Sequence, residues 1–178
     1  MLSGGMRATP TSPRLSYVPV TDADVARLHA HWNDPDVRRH LWDDQPVALA
    51  TVGEVVAASC ASFASSGYGL WSLADADGFV GMCGLRDTDG GEVEVLYSIE
   101  PSRWANGFAS EAAASVLDHA FTALGLTRVL GGVDDANHAS RRVLVKLGMT
   151  PLESSHGGAA HVGWLAIDRA RWRRPTSA

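Results

Sequence analysis

The sequence predicts an α/β protein, built on a mixed, mostly antiparallel sheet of about seven strands flanked by helices. Three observations carry that expectation. The hydrophobic period changes from about 3.6 to 2 in the middle of the chain, in short runs punctuated by Asp77-Gly78 and Asp89-Gly90. A long helix with one broad apolar face follows the third run, and a β-branched run follows the helix. That order makes the two strands parallel neighbours by a right-handed crossover. At 178 residues, 46% hydrophobic and 20% charged, the chain suits one domain and lacks the composition of a disordered one.

Met1 to Arg14, rich in Gly, Ser, Thr and Pro, reads as a flexible tail ahead of a single domain over 15–174. Leu15 to Val20 reads as a strand. Thr21 to Asp24 then offers capping side chains to a helix with Val25, Leu28 and Trp32, which Asn33-Asp34-Pro35 ends. A short helical piece is expected around Val37 to Trp42, and a longer helix over Thr51 to Ser66 with Val52, Val55, Val56, Cys60 and Phe63 as its stripe. The three central strands are Gly69 to Ala74, Phe79 to Arg86 and Glu92 to Ile99, a meander. In the third, Val93, Val95, Tyr97 and Ile99 share one face and Glu92 and Glu94 the other.

Ala109, Ala112, Ala113, Val116, Leu117, Ala120, Phe121 and Leu124 fit the helical template throughout, so that helix packs on the sheet. Thr127 to Val133 is the next strand, and Asn137 to Leu147 a helix closed by Gly148. Met149 to Glu153 and His161 to Ile167 read as strands around a His156-Gly157-Gly158 turn, with a terminal turn at Asp168 to Trp172. No internal repeat is visible.

A net charge of -5 gives no positive field for nucleic acid or anionic lipid, and no apolar stretch approaches 18 residues. Without a basic and apolar leader, the expected location is the cytoplasm. Cys60 and Cys83 sit in apolar surroundings without C-x-x-C spacing and are expected to be buried, inert thiols. The seven histidines form no ligand-spaced cluster, so no metal is expected. P-loop, dinucleotide and nucleophile-elbow motifs are absent, and His156-Gly157-Gly158 has no elbow to serve as an oxyanion segment.

The informative stretch is Ser102-Arg103-Trp104-Ala105-Asn106-Gly107-Phe108-Ala109, a loop opening straight into the long helix. Backbone N–H groups at a helix start have no intrahelical partner and lie at the positive end of the dipole, which makes an anion site. Gly107 leaves room for a pyrophosphate.

Trp-Ala-Asn-Gly-Phe-Ala followed by Ser-Glu-Ala resembles the acetyl-coenzyme A loop of the GNAT superfamily, Q/R-x-x-G-x-G/A. More narrowly it resembles the RimJ/RimL-like branch of ribosomal-protein-alanine acetyltransferases. Glu94 to Tyr97, Asn137-His138-Ala139-Ser140, Leu147-Gly148-Met149, Trp32-Asn33-Asp34-Pro35 and Trp172 match that branch in order, over about Leu15 to Trp172. Trp104 stands where the superfamily has Gln or Arg and Ala105 where Gly is common, which throws the phosphate contacts onto backbone amides. The resemblance implies a GNAT-like fold with parallel central strands splayed around the coenzyme, and a cytoplasmic N-acetyltransferase using acetyl-coenzyme A. The coenzyme contacts would come from Leu96, Tyr97, Ile99, Trp104 to Ala109, Asn137 and Arg142, and a homodimer is compatible with it.

Several of these residues have a second reading. Gly107 could be a plain turn glycine. Asn137 is a helix cap, a contact to the pantetheine arm, or both. Ser140 is either back-bonded to a carbonyl or, as the resemblance implies, the donor of a proton to the departing thiolate. Glu94 is a base or half of a structural ion pair. Tyr97 is core packing or an acid, and Arg141 and Arg142 reach phosphates or are solvated. Trp32, Trp42 and Trp71 line an acceptor pocket or fill core.

The expected reaction is direct attack of a primary amine on the thioester, with backbone N–H groups near Leu96 and Tyr97 holding the oxyanion. The resemblance places the acceptor most typically at a protein's N-terminal α-amine. An α-amine of pKa near 7.8 is roughly a quarter neutral at pH 7.4, whereas a lysine near 10.4 demands a better base. The sequence thus leans to an α-amine or small amine of similar pKa, with antibiotic and polyamine acceptors open through residues 32–50. The rival reading is a non-catalytic acyl-coenzyme A sensor or scaffold of the same fold.

Overall fold

The computed structural model describes residues 9–153 and 161–175. Its elements run β1 (Ser16–Pro19), α1 (Val25–Asn33), α2 (Pro35–Arg38), α3 (Leu49–Ser65), β2 (Leu70–Asp75), β3 (Gly78–Asp87), β4 (Val93–Ile99), α4 (Phe108–Thr122), β5 (Arg128–Asp134), α5 (His138–Lys146), β6 (Thr150–Pro151) and β7 (Val162–Asp168). The seven strands form one sheet in the order β1-β2-β3-β4-β5-β7-β6. Every neighbouring pair is antiparallel except β4 and β5, which are parallel. This is the mixed, mostly antiparallel α/β sheet that the sequence predicts.

Both faces of the sheet are covered. Alternation sends Trp71, Cys83, Val95 and Ile99 to the side where α4 lays down Ala112, Ala113, Val116, Leu117, Ala120 and Phe121. Leu70 and Met82 point the other way, toward Leu28 and Trp32 of α1 and Val52 and Val56 of α3. Burying Val116, Leu117 and Phe121 on α4 contributes about 1.5–3 kcal/mol each, which fixes that helix and hence the loop before it.

Several details differ from the sequence expectation, among them β6, which spans only Thr150–Pro151. The stripe of α3 is Val52, Val56 and Ser59, so Cys60 falls outside it and is exposed, while Cys83 is buried as expected. Ser59 takes the inward position because its Oγ accepts from Leu70 N–H at 2.8 Å, pinning the start of β2. The β3–β4 turn places its left-handed residue at Gly91 (φ +76°), one beyond the Asp-Gly pair. The helical piece near Val37 begins earlier than expected, because Asp34 accepts from Asp36 N–H and Pro35 fits the first helical turn.

The segment read as a tail ends in fixed contacts: Arg14 donates to Glu111 and to the Asn106 carbonyl, and Arg174 donates to the Thr11 carbonyl. His156-Gly157-Gly158 lies outside the described residues. No described helix is long and apolar enough to cross a membrane.

Candidate active site

The parallel pair opens almost as soon as it forms. Glu94 and Leu130 are its one register pair, whereas β5 pairs with β7 along its whole length. Beyond Glu94, the edge of β4 that faces β5 has no ladder partner, and alternate backbone N–H and C=O groups there are left for a ligand. A cavity of about 460 Å³ occupies this opening, a size suited to a small molecule or cofactor.

One end of the cavity is the loop before α4. Trp104 is tied to the end of β4 by Nε1–H donating to the Ile99 carbonyl at 2.8 Å, and the Asn106 side chain folds back onto the Arg103 and Trp104 carbonyls. Ala105 and Gly107 are both left-handed, at φ +62° and +79°. Gly107 is the residue capping α4, so no side chain caps the first-turn N–H groups. Glu111, one turn in, is spent on Arg14. Burial pushes the Glu111 carboxyl up, but the backbone and guanidinium hydrogen bonds from Arg14 outweigh it and hold the carboxyl below its ordinary value. The uncapped, positive helix end is therefore aimed at the cavity, as an anion site requires.

The middle of the cavity is where β4 meets α5. Tyr97 Oη lies 2.8 Å from Ser140 Oγ and donates to the Ser140 carbonyl at 3.2 Å. Burial pushes the Tyr97 phenol well above its usual value, against the Ser140 hydrogen bond, so the pair is neutral and holds hydroxyl protons. Asn137 caps α5, its Oδ1 accepting from Ser140 N–H at 3.0 Å, which leaves the amide nitrogen outside the cap.

Among the residues expected to hold coenzyme, Tyr97, Ile99, Trp104, Ala105, Gly107, Phe108, Ala109 and Asn137 line this one cavity, as does Ser140, the expected proton donor. Leu96, Asn106, Arg142 and Glu94 do not line it. Leu96 packs with the α1–α3 side, and Arg142 lies on a surface patch with His138, Arg141 and Lys146. Glu94 is 4% exposed and its Oε1 is 2.5 Å from Arg86 Nε, an ion pair across β3 and β4. Trp32 and Trp71 are buried in the two cores, with Trp42 packed on Trp32.

The other end was not resolved residue by residue in the sequence. Asp36, Val37, Arg39, His40 and Leu41 line it, with Ser98 from β4. The first five fall inside the 32–50 stretch expected to shape the acceptor pocket, but the single turn of α2, which carries Asp36 and Val37, and the turn after it are too short to show a period. His40 Nδ1 stands 3.6 Å from Asp134 Oδ2 at the end of β5, so this wall reaches across the opening. Among the described residues, no group of three or more His, Cys, Asp or Glu is placed to hold a metal.

A family model described as "Acetyltransferase (GNAT) domain" matches residues 14–150. The chain is 29% identical over 140 residues to an uncharacterized N-acetyltransferase, YoaA, of Bacillus subtilis, covering 76% of this chain and 78% of that one. The fold is similar to that of spermidine N-acetyltransferase from Vibrio cholerae, solved with CoA and spermine, with a TM-score of 0.71 and 17% identity over 89% of this chain and 97% of that one. It is equally similar to RimL, a ribosomal L7/L12 α-N-protein acetyltransferase solved with coenzyme A, with a TM-score of 0.72 and 16% identity over 89% and 96%. The splayed strands, the uncapped helix start and the match over most of the chain agree: the protein belongs to the GNAT family of acetyltransferases.

Proposed function

We propose that the protein transfers an acetyl group from acetyl-coenzyme A directly to a primary amine, most typically the α-amine of a protein N-terminus or a small amine of similar pKa. The observation that carries this reading is the continuous cavity running from Gly107, past Tyr97 and Ser140, to Val37 and Leu41. Such a channel can hold the coenzyme's pyrophosphate at one end and an acceptor at the other, with the thioester between them.

In this reading the backbone N–H groups at the start of α4 hold the pyrophosphate, and the free edge of β4 near Leu96 and Tyr97 offers donors to the thioester oxygen. The Tyr97–Ser140 pair protonates the leaving thiolate, a task for a neutral hydroxyl at hydrogen-bond distance. Asn137 both caps α5 and faces the pantetheine arm. Glu94 is the structural partner of Arg86. That removes the one strong base expected near the reacting end, which favours an acceptor already partly neutral at pH 7.4.

RimJ/RimL-like assignment rests on the motif series in the sequence, and the two structural relatives with named acceptors carry different ones. The discriminating experiment is thiol release from acetyl-coenzyme A across N-terminal peptides, lysine peptides, aminoglycosides and polyamines, with coenzyme affinity measured by calorimetry. Coenzyme binding without amine-dependent thiol release would leave a sensor and defeat the transfer reading.

A further inference from the structure

The wall of the cavity opposite the coenzyme loop contains a buried hydrogen-bonded chain. Ser98 Oγ lies 2.9 Å from His31 Nε2 and accepts from Trp32 Nε1–H at 3.2 Å. Glu100 Oε1 stands 2.7 Å from His31 Nδ1, in contact though oblique to that nitrogen's hydrogen-bond direction. His31 and Ser98 are 3% and 8% exposed, whereas the Glu100 side chain is 29% exposed. The hydrogen bonds therefore run from the cavity to a buried imidazole, and a part-exposed carboxylate stands beside the other ring nitrogen.

Proton counting fixes its direction. The Trp32 indole can only donate, so it occupies one lone pair of Ser98 Oγ. A bare Nδ1 lone pair 2.7 Å from the Glu100 carboxylate would be repelled by it, so the proton of a neutral His31 belongs on Nδ1 and Nε2 is left as an acceptor. The Ser98 hydroxyl then donates to Nε2, and its second lone pair remains available to a group in the cavity.

Building on the acetyl-transfer reading, we infer that Ser98, His31 and Glu100 form the relay that takes the proton from the attacking amine. As the C–N bond forms and the C–S bond breaks, the amine's proton passes to Ser98 Oγ and the Ser98 proton passes to His31 Nε2. The thiolate takes its proton from the Tyr97–Ser140 pair. Glu100 stabilises the imidazolium; once product leaves, the Nε2 proton returns through Ser98 Oγ to water in the cavity and restores the Nδ1–H tautomer, while the Tyr97–Ser140 pair regains a proton from water, so the cycle closes without net charge.

The surroundings of His31 fit a base that is neutral at rest. Burial lowers its basicity, and Glu100, then the Ser98 backbone, then Asp34 at the end of α1 oppose that. From β3 the facing group is the Phe79 ring, edge-on at 5.6 Å, and the Arg27 guanidinium stacks on that same ring at 4.7 Å. His31 is a positioning residue in this scheme, because it acts through Ser98.

Two measurements on the full chain test it. Long-range proton–nitrogen NMR should find neutral His31 with its proton on Nδ1; a proton on Nε2 would force Ser98 to accept twice and overturn the relay. Thiol release with an alanine-initiated peptide and with spermidine, at pH 6–9, should fall about 100-fold in kcat for Ser98→Ala, with Ser98→Thr recovering most of it. Coenzyme affinity should not change. In the wild type kcat should rise as His31 loses its proton, and His31→Gln should flatten that limb. Glu100→Gln, which keeps the packing, should lower kcat in the same direction. Wild-type turnover with an unimpaired Ser98→Ala defeats the relay alone. Bound coenzyme with no turnover on any amine of the wider screen defeats acetyl transfer, and the relay with it.

Discussion

If backbone N–H groups at the start of α4 hold the pyrophosphate, the test is charge at Gly107, separated from the cost of changing a glycine. Gly107 has φ +79°, and a Cβ there would meet only the Arg14 guanidinium, at 3.7 Å. Gly107→Ala thus costs stability through the left-handed backbone, about 1–2 kcal/mol, without filling the cavity or removing an N–H. Gly107→Glu carries the same strain and adds a carboxylate. At about 6 Å and an effective dielectric of about 20, each pyrophosphate charge repels it by about 3 kcal/mol, roughly a hundredfold in affinity. Arg14 can reach the new carboxylate and offset part of this, so about a hundredfold in total is the expected loss. Calorimetry with acetyl-coenzyme A should show Gly107→Ala binding within about threefold of wild type and Gly107→Glu about a hundredfold weaker, with partial recovery at high salt. Thermal melts should shift alike for both variants. Equal affinities for the two would refute the anion site at this helix.

Ala105, left-handed at φ +62°, should be relieved by Ala105→Gly, raising stability by about 0.5–1 kcal/mol in denaturant titrations. Tyr97→Phe removes the phenol that meets Ser140 while keeping its packing. It and Ser140→Ala should each lower kcat by about 10- to 1000-fold with coenzyme affinity unchanged. Glu94→Gln should cost about 1–2 kcal/mol through the Arg86 pair yet keep turnover in the thiol-release assay, since the carboxylate lies outside the cavity. The Arg14 contacts depress Glu111, so their stabilisation is present above the unfolded carboxyl's value and fades as pH falls through the depressed one. Acid titrations of Glu111→Gln by circular dichroism should lack that component.

The end of the cavity at the α4 loop was legible because it is coded locally. Gly107 at a helix start, Asn137 three residues before Ser140, and the alternation of β4 each fix a neighbour within one turn or one strand. Other errors were positional. Reading Cys60 rather than Ser59 as inward missed that a polar side chain wins the buried site when it satisfies the Leu70 N–H. Glu94 was visible as an anomaly in an apolar run, but its partner Arg86 is a cross-strand neighbour, and register decides that pairing.

The acceptor half is coded at long range, and this is why the buried histidine escaped notice. His31 shares the α1 stripe with Leu28 and Trp32 and reads as core; only the arrival of Ser98 and Glu100, 67 and 69 positions later, gives it two polar partners. His31 stands between a cavity residue, Ser98, and the part-exposed carboxylate of Glu100, and that placement depends on β4 running past α1 rather than on any motif. Relatives that keep the loop around Gly107 can therefore share coenzyme binding while differing in how an amine is deprotonated. In the proposed reading the helix start would hold the donor, and the packing of α1 and α2 against the last residues of β4 would set which acceptors react.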